Sequence, residues 1–180
     1  MLPTYANTHT TQSITGLQST LFRHEARQIV RNAVRASEND AVIFCGSGAT
    51  GAIQLLISAM ALPTPPVVFI GPYEHHSAEL PWINNKAHLV RISESRDGQP
   101  DYQELEIAIE QWSKSGLPLI GCFSAASNVT GVLTDTVRIS QIIHKFNGIT
   151  IFDYATAAPY IKIDMHPPQP NSHKGHSLID

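Results

Sequence analysis

Ala41-Val42-Ile43-Phe44-Cys45-Gly46-Ser47-Gly48-Ala49-Thr50-Gly51 is the stretch on which the reading of this chain turns. A five-residue apolar run stops at a glycine, a glycine-rich loop follows, and residues 50–60 continue with the spacing of a helix. A short apolar run bounded by a turn signal predicts a strand buried on both faces. The whole stretch therefore predicts strand, loop and helix in succession, the unit from which α/β domains are built. Working outward, the same pattern recurs. Val67–Ile70, His88–Ile92, Leu119–Phe123 and Ile149–Phe152 are four further apolar runs predicted as strands. Between them lie predicted helices. One covers 20–36, with Leu21, Phe22, Ile29, Val30, Ala33 and Val34 at helical spacing. Another begins at Asp101, a predicted N-cap with Glu104 completing a capping-box pair, and turns Leu105, Ala108, Ile109 and Trp112 to one side. A third runs from Thr134 to Asn147, with Ile139, Ile142, Ile143 and Phe146 inward, and is predicted to stop at Gly148. Strands alternating with helices imply right-handed crossovers and a mostly parallel sheet with helices on both faces. Beyond His166 the pattern dissolves into Pro167, Pro168 and Pro170, so 166–180 is expected to be a loop or tail.

Composition sets outer limits. A 42% hydrophobic content in 180 residues is enough for a packed core rather than a disordered chain. Net charge is −3 with the two signs mixed and no basic stripe, which argues against a nucleic-acid partner. No apolar run approaches the length of a membrane span. The first residues, Met1 to Asn7, lack a basic segment followed by an apolar one, so a cytoplasmic location is expected. Cys45 and Cys122 both fall in apolar runs and are expected to be buried, reduced thiols. Asn128-Val129-Thr130 is formally a glycosylation sequon and is expected to stay unmodified. His166, His173 and His176 are too loosely spaced along a proline-rich stretch to make a dense metal site, so no metal is expected.

In a parallel sheet the ligand sits beyond the carboxyl ends of the strands, so the residues just after each strand carry the most information. The loop Gly46–Gly51 opens a helix, where free N–H groups and the helix dipole favour a phosphate; the Thr50 hydroxyl can add a donor. Glu74-His75-His76 comes after Val67–Ile70, Ser127-Asn128 comes after Leu119–Phe123, and Asp153 ends the last predicted strand. His75 is either a surface-loop histidine or a ring that packs on a flat ligand. Asn128 is either a turn residue before Gly131 or a donor to a ligand oxygen. Asp153 is either a cap or a functional acid. The glycines also match G-x-G-x-x-G through Gly46, Gly48 and Gly51, and Glu74 lies 23 residues after Gly51, near where a dinucleotide fold places its ribose-binding acid. A Rossmann-type NAD-binding module is therefore the alternative.

Taken in order, these segments resemble the class V aminotransferase and cysteine desulfurase family. Ser47-Gly48-Ala49-Thr50 resembles its phosphate-binding turn. Glu74-His75-His76 with Leu80-Pro81-Trp82 resembles its E-H-H…P-W segment, Asp97-Gly98…Asp101 its D-G…D element, and Ser127-Asn128-Val129-Thr130-Gly131 its S-N-x-x-G segment. Phe152-Asp153 with Ile163-Asp164 resembles the strand that carries its ring-nitrogen aspartate and the trailing I-D. The likeness runs from about Tyr5 to Met165. It implies a fold-type-I enzyme dependent on pyridoxal 5′-phosphate (PLP). Gly48, Ala49 and Thr50 would hold the phosphate, His75 would stack on the ring, Asn128 would bond the ring hydroxyl and Asp153 would pair with the ring nitrogen. Thr156 stands three residues after Asp153, where the family commonly has Gln or His bonding the ring oxygen. The resemblance further implies a small amino-acid substrate, a homodimer, and aminotransferase, cysteine desulfurase or related lyase chemistry. The family's Schiff-base lysine comes about 26 residues after the aspartate, a place held here by Ile179. Ser172-His173-Lys174 only superficially resembles the lysine motif and lies 21 residues after Asp153. The expectation is thus that residues 1–180 are a partial PLP-binding large domain. The catalytic lysine and C-terminal small domain are expected to be absent, with Lys174 as the remaining lysine candidate. A truncated product without a function of its own is the third reading.

Overall fold

The structure, a computed structural model, describes residues 5–168. These fall into two compact units: the residues up to Phe44 joined by Ile163–His166, and a larger unit built on Cys45–Lys162.

The first unit is organised by α1 (Ile14–Ala33). Its N-terminus is earlier than the predicted residue 20, because Ser13 caps it: the Ser13 hydroxyl accepts the Gly16 N–H at 3.0 Å. Gly16 suits the crowding there, since a Cβ would stand 2.5 Å from the Thr10 methyl and force it to shift. Past the helix, the segment 163–166 is fastened to its C-terminal end. Arg35 pairs with Asp164 at 2.8 Å, the Met165 N–H reaches the Val34 carbonyl at 3.0 Å, and His166 Nε2 meets Asp40 Oδ2 at 2.7 Å.

The predicted strand Ala41–Cys45 does not form. These residues are in no helix or strand, Ile43 is 66% exposed and Phe44 48%. Side chains from α1 take backbone carbonyls here, Arg27 Nε that of Val42 at 3.1 Å and Arg31 Nη2 that of Asp40 at 2.8 Å. The expectation for Cys45 fails with the strand: its thiol is exposed, whereas Cys122 is buried as expected.

The larger unit contains α2 (Gly48–Met60), β1 (Val67–Ile70), α3 (His76–Asn84), β2 (His88–Arg91), α4 (Tyr102–Ser113), β3 (Leu119–Ser124), α5 (Thr136–Lys145) and β4 (Ile149–Asp153). The four strands lie in the order β2-β1-β3-β4, every pair parallel. Side chains alternate across the sheet, as a two-residue period requires. Val68, Ile70, Ile120, Cys122 and Ile151 pack with Ile53 and Ile57 of α2 and Ala78 and Trp82 of α3. Val67, Phe69, Leu119 and Phe123 pack with Leu105 and Ile109 of α4 and Ile139 and Ile143 of α5. The sheet is thus covered on both faces, as the apolar runs predicted.

Two local predictions need correction. Asp101 does cap α4, accepting the Gln103 and Glu104 N–H groups at 2.9 and 3.0 Å, but the capping box stays open. Glu104 instead accepts the Ser93 N–H at 2.8 Å, which ties α4 to the end of β2. At the end of α5 the left-handed residue is Asn147, at φ 58°, not Gly148. Gly148 is needed for space: a Cβ would come within 2.7 Å of Ile143 Cγ2 and 3.0 Å of the Leu119 carbonyl oxygen.

The strand order places the site. From β1 the chain steps outward to β2 across one face, through α3. It then passes back over β1 to β3 and on to β4 across the other face, through α4 and α5. The direction of winding therefore reverses between β1 and β3, and a crevice opens outside the carboxyl ends of these neighbours, where doubly wound sheets bind ligands.

Candidate functional site

That crevice is a cavity of about 310 Å³, within the size range of small-ligand sites. Four separate segments line it among the described residues: Ala49 and Thr50 from the start of α2, His75 and Ser77 after β1, Ser124 at the end of β3 with Ala126 and Asn128 beyond it, and Asp153 at the end of β4 with Ala155 and Thr156 beyond it. Of the residues that the resemblance assigned to the cofactor, Ala49, Thr50, His75, Asn128, Asp153 and Thr156 are there; Gly48 lies next to Ala49 in the same turn, and Gly46, Gly51 and Glu74 of the dinucleotide alternative are not among the lining residues. Lys174, His173 and His176 lie outside the described residues. Among the described residues no lysine lines the cavity and no cluster of metal-ligating side chains is present.

The α2 end is built to present N–H groups. Ser47 and Gly48 take left-handed φ values of 65° and 62°, and the Ser47 side chain makes no capping bond to the helix. The first-turn amides are thus not spent on a side-chain cap. Gly51 is there for space instead, since a Cβ on it would collide with the Gly46 carbonyl oxygen.

His75 is the N-cap of α3. Its Nδ1 accepts the Ser77 N–H at 3.1 Å and lies 2.8 Å from the Ser77 hydroxyl. Accepting a backbone N–H places the imidazole proton on Nε2 and fixes the ring plane at the cavity wall. Asn128 rides on a tight loop. The Ser127 hydroxyl accepts the Val129 and Thr130 N–H groups at 3.2 and 3.1 Å, and Gly131 turns the chain at φ 73°. Asp153 accepts the Ala155 N–H at 2.8 Å through Oδ1, which orients its carboxylate at the end of β4.

Glu74 is not a ribose-binding acid. Its carboxylate is turned toward the sheet, accepting the Ser124 N–H at 2.9 Å and the Ser124 hydroxyl at 2.7 Å, with a further bond from the Gly71 backbone. Burial pushes its pKa up, the Ser124 and Gly71 bonds oppose this, and the nearby Asp153 charge adds to the rise. This removes the acid on which the dinucleotide alternative depended. Ser124 and Ser77 carried no motif and were missed from sequence. The only available signal for Ser124 was its position as the polar residue that closes an apolar strand. Cys122, two residues earlier, is buried in the core, and that burial pushes its thiol up to about 12.

The Aminotransferase class-V family profile matches residues 2–169. The chain belongs to this family. Family members are PLP-dependent. Among its relatives, a probable cysteine desulfurase of Halalkalibacterium halodurans is 29% identical over 167 residues, covering 89% of this chain and 40% of that protein. A probable cysteine desulfurase of Borreliella burgdorferi is 29% identical over 168 residues, covering 89% and 38%. The apo cysteine desulfurase of Thermococcus onnurineus NA1 superposes with a TM-score of 0.73 at 23% identity, over 91% of this chain and 40% of that one. The NifS-like protein of Rickettsia africae ESF-5 gives 0.74 at 22% identity, over 88% and 43%. These two structures establish the fold. The chain spans about 40% of the length of the curated relatives it matches. No helix among the described residues is long and apolar enough to cross a membrane.

Proposed function

We propose that this chain forms the PLP-binding part of an enzyme that acts on a small amino acid by aminotransferase, cysteine desulfurase or related lyase chemistry. One observation carries the reading: Thr50, His75, Asn128, Asp153 and Thr156, from four separate segments, line a single cavity at the switch point of the sheet. The donor set suits the group end to end. Amides at the start of α2 and the Thr50 hydroxyl suit a phosphate. The capped imidazole of His75 offers a flat face, Asn128 an amide N–H for a ring oxygen, and Asp153 a carboxylate for a protonated ring nitrogen. The Thr156 hydroxyl is the shorter partner for the ring oxygen. When bound, PLP supplies an electron sink for bonds at the substrate's α-carbon. This chain's residues bind and orient it, and Asp153 holds the proton at its nitrogen.

In the whole protein, the described fold serves as part of a large domain. The Schiff-base lysine and a smaller domain come from sequence beyond it, and the assembly is a cytoplasmic homodimer. PLP titration of the full chain, followed by intrinsic fluorescence and equilibrium dialysis, tests the reading. Asp153→Ala removes a charge-assisted bond, so affinity should fall about 10- to 100-fold, and His75→Ala should lower it by a smaller factor. Saturable NAD binding that depends on Glu74 and ignores His75 and Asp153 would overturn it.

A further inference from the structure

We infer that Glu74 and Ser124 are a positioning pair that holds the three ring-facing residues His75, Asn128 and Asp153 in one frame. The inference rests on the PLP reading and adds residues to it. Glu74 directly precedes His75, so its carboxylate anchors the loop that presents the imidazole. That carboxylate is bonded to both the N–H and the hydroxyl of Ser124, 50 residues away, at 2.9 and 2.7 Å. Ser124 in turn is the register partner of Asp153 in the β3–β4 pairing, and the neighbouring Ala125 N–H reaches the Asp153 carbonyl at 2.9 Å. The Ser124 carbonyl accepts the Thr134 hydroxyl at 2.7 Å, and the Thr134 N–H reaches the Ala125 carbonyl at 3.0 Å. Those last two bonds close the loop that carries Asn128. Ser124 thus gives its N–H and hydroxyl to Glu74 and its carbonyl to Thr134, while the adjacent Ala125 N–H holds the Asp153 segment, so the Glu74 carboxylate grips the point where three cavity segments meet.

The switch-point geometry explains why such a tie is needed. β1 and β3 are paired up to Ile70 and Cys122, after which their chains part in opposite directions. No further ladder bond can hold the two loops that leave there, and a carboxylate that accepts N–H groups from both strand ends does so instead. Gly71 makes room for it: a Cβ would lie 2.8 Å from Glu74 Oε1. Hydrogen bonds to a charged or strongly polar acceptor at a partly buried site are the kind whose loss leaves orphaned donors.

Two readouts on the full chain test this. In the chain without added ligand, Glu74→Ala should speed amide exchange at Ser124, in 126–134 and in 153–155, while β2 and α4 keep wild-type exchange. Glu74→Gln, which preserves the shape and can accept the same N–H groups, should restore protection. In the PLP titration, Glu74→Ala should weaken binding at least tenfold and Glu74→Gln by less than threefold. Ile139→Val, a destabilising change in the opposite core, should leave PLP affinity unchanged. If Glu74→Ala unfolds, Ser124→Ala replaces it, with the same direction and a smaller loss. The inference is overturned if exchange rises uniformly over the sheet, or if affinity in Glu74→Ala falls no further than its loss of thermal stability and that of Ile139→Val account for. A wild-type chain that fails to bind PLP counts against the functional reading instead, and the exchange pattern still decides whether Glu74 ties the loops.

Discussion

Ala41–Cys45 and Val67–Ile70 look alike in sequence: both are short apolar runs that end on glycine. One lies outside any strand with Ile43 and Phe44 largely exposed, and the other is the most buried strand of the sheet. Apolar content therefore does not by itself make a strand. Val67–Ile70 is paired on both edges, to β2 and to β3, and its two faces meet different helices. In Ala41–Cys45 and just before it, arginine side chains of α1 take backbone carbonyls instead. The largest predicted effect separates the two. Phe69→Ala empties a fully buried ring site and should cost about 3–5 kcal/mol. Phe44→Ala should cost under about 1 kcal/mol, including the contact of its ring with the Arg27 guanidinium. Urea denaturation of both variants checks this, and equal losses would mean that Ala41–Cys45 is packed as a strand after all.

The loop just past Ala41–Cys45 was legible where the run itself was not. Glycine spacing reports backbone geometry, and geometry is local, whereas a strand depends on partners far along the chain. The same contrast runs through the molecule. The α4 and β1–β4 segments were readable because their apolar periods match the faces they bury. Ser13, Asn147 and Glu104 were not, because each depends on local geometry that the apolar period does not report: which hydroxyl reaches a helix N–H, which residue turns left-handed at a helix end, and which neighbouring N–H a carboxylate meets. In the candidate site, Thr50, His75 and Asp153 could be picked out because each sits at a strand or helix end with a recognisable neighbour, and Asn128 because it stands in a turn before Gly131. Ser124 could not, since its role comes from a bond to a residue 50 positions away.

Two glycines of that loop sharpen the comparison by isolating two different costs. Gly51→Ala drives a methyl into the Gly46 carbonyl and to 3.1 Å from Ser47 Cβ, so the turn must shift, at about 1–3 kcal/mol. Gly48→Ala meets nothing within 4 Å and is strained only by its φ of 62°, at about 1 kcal/mol. Chemical denaturation should rank Gly51→Ala below Gly48→Ala. The reverse order would mean that the turn relaxes freely around Gly51 and that only φ governs it.

The smallest effects concern two carboxylates, one in each unit, whose environments push in opposite directions. Glu74 has its pKa raised from an ordinary 4.5, chiefly by burial, so the folded chain holds its proton more tightly than the unfolded one. Its stabilising contribution is complete below the unfolded value and is lost as pH rises through the folded value. Asp40 is lowered from 3.8 to about 2, first by its bond to His166 and then by Ser37. Its contribution is present above 3.8 and is lost as pH falls toward about 2. Melting temperatures of Glu74→Gln and Asp40→Asn, each compared with wild type across the acid range, should diverge in opposite senses. Glu74→Gln should gain on wild type as pH rises from 4.5 toward neutrality. Asp40→Asn should fall behind above pH 3.8 and rejoin wild type near pH 2. The Asp40 difference should be the smaller of the two and should shrink with added salt, because the His166 and Asp40 side chains are 37% and 24% exposed and their attraction is screened. A salt-independent Asp40 effect would show that the acid acts through its neutral Ser37 bond rather than through His166, and that the clasp on 163–166 is not electrostatic.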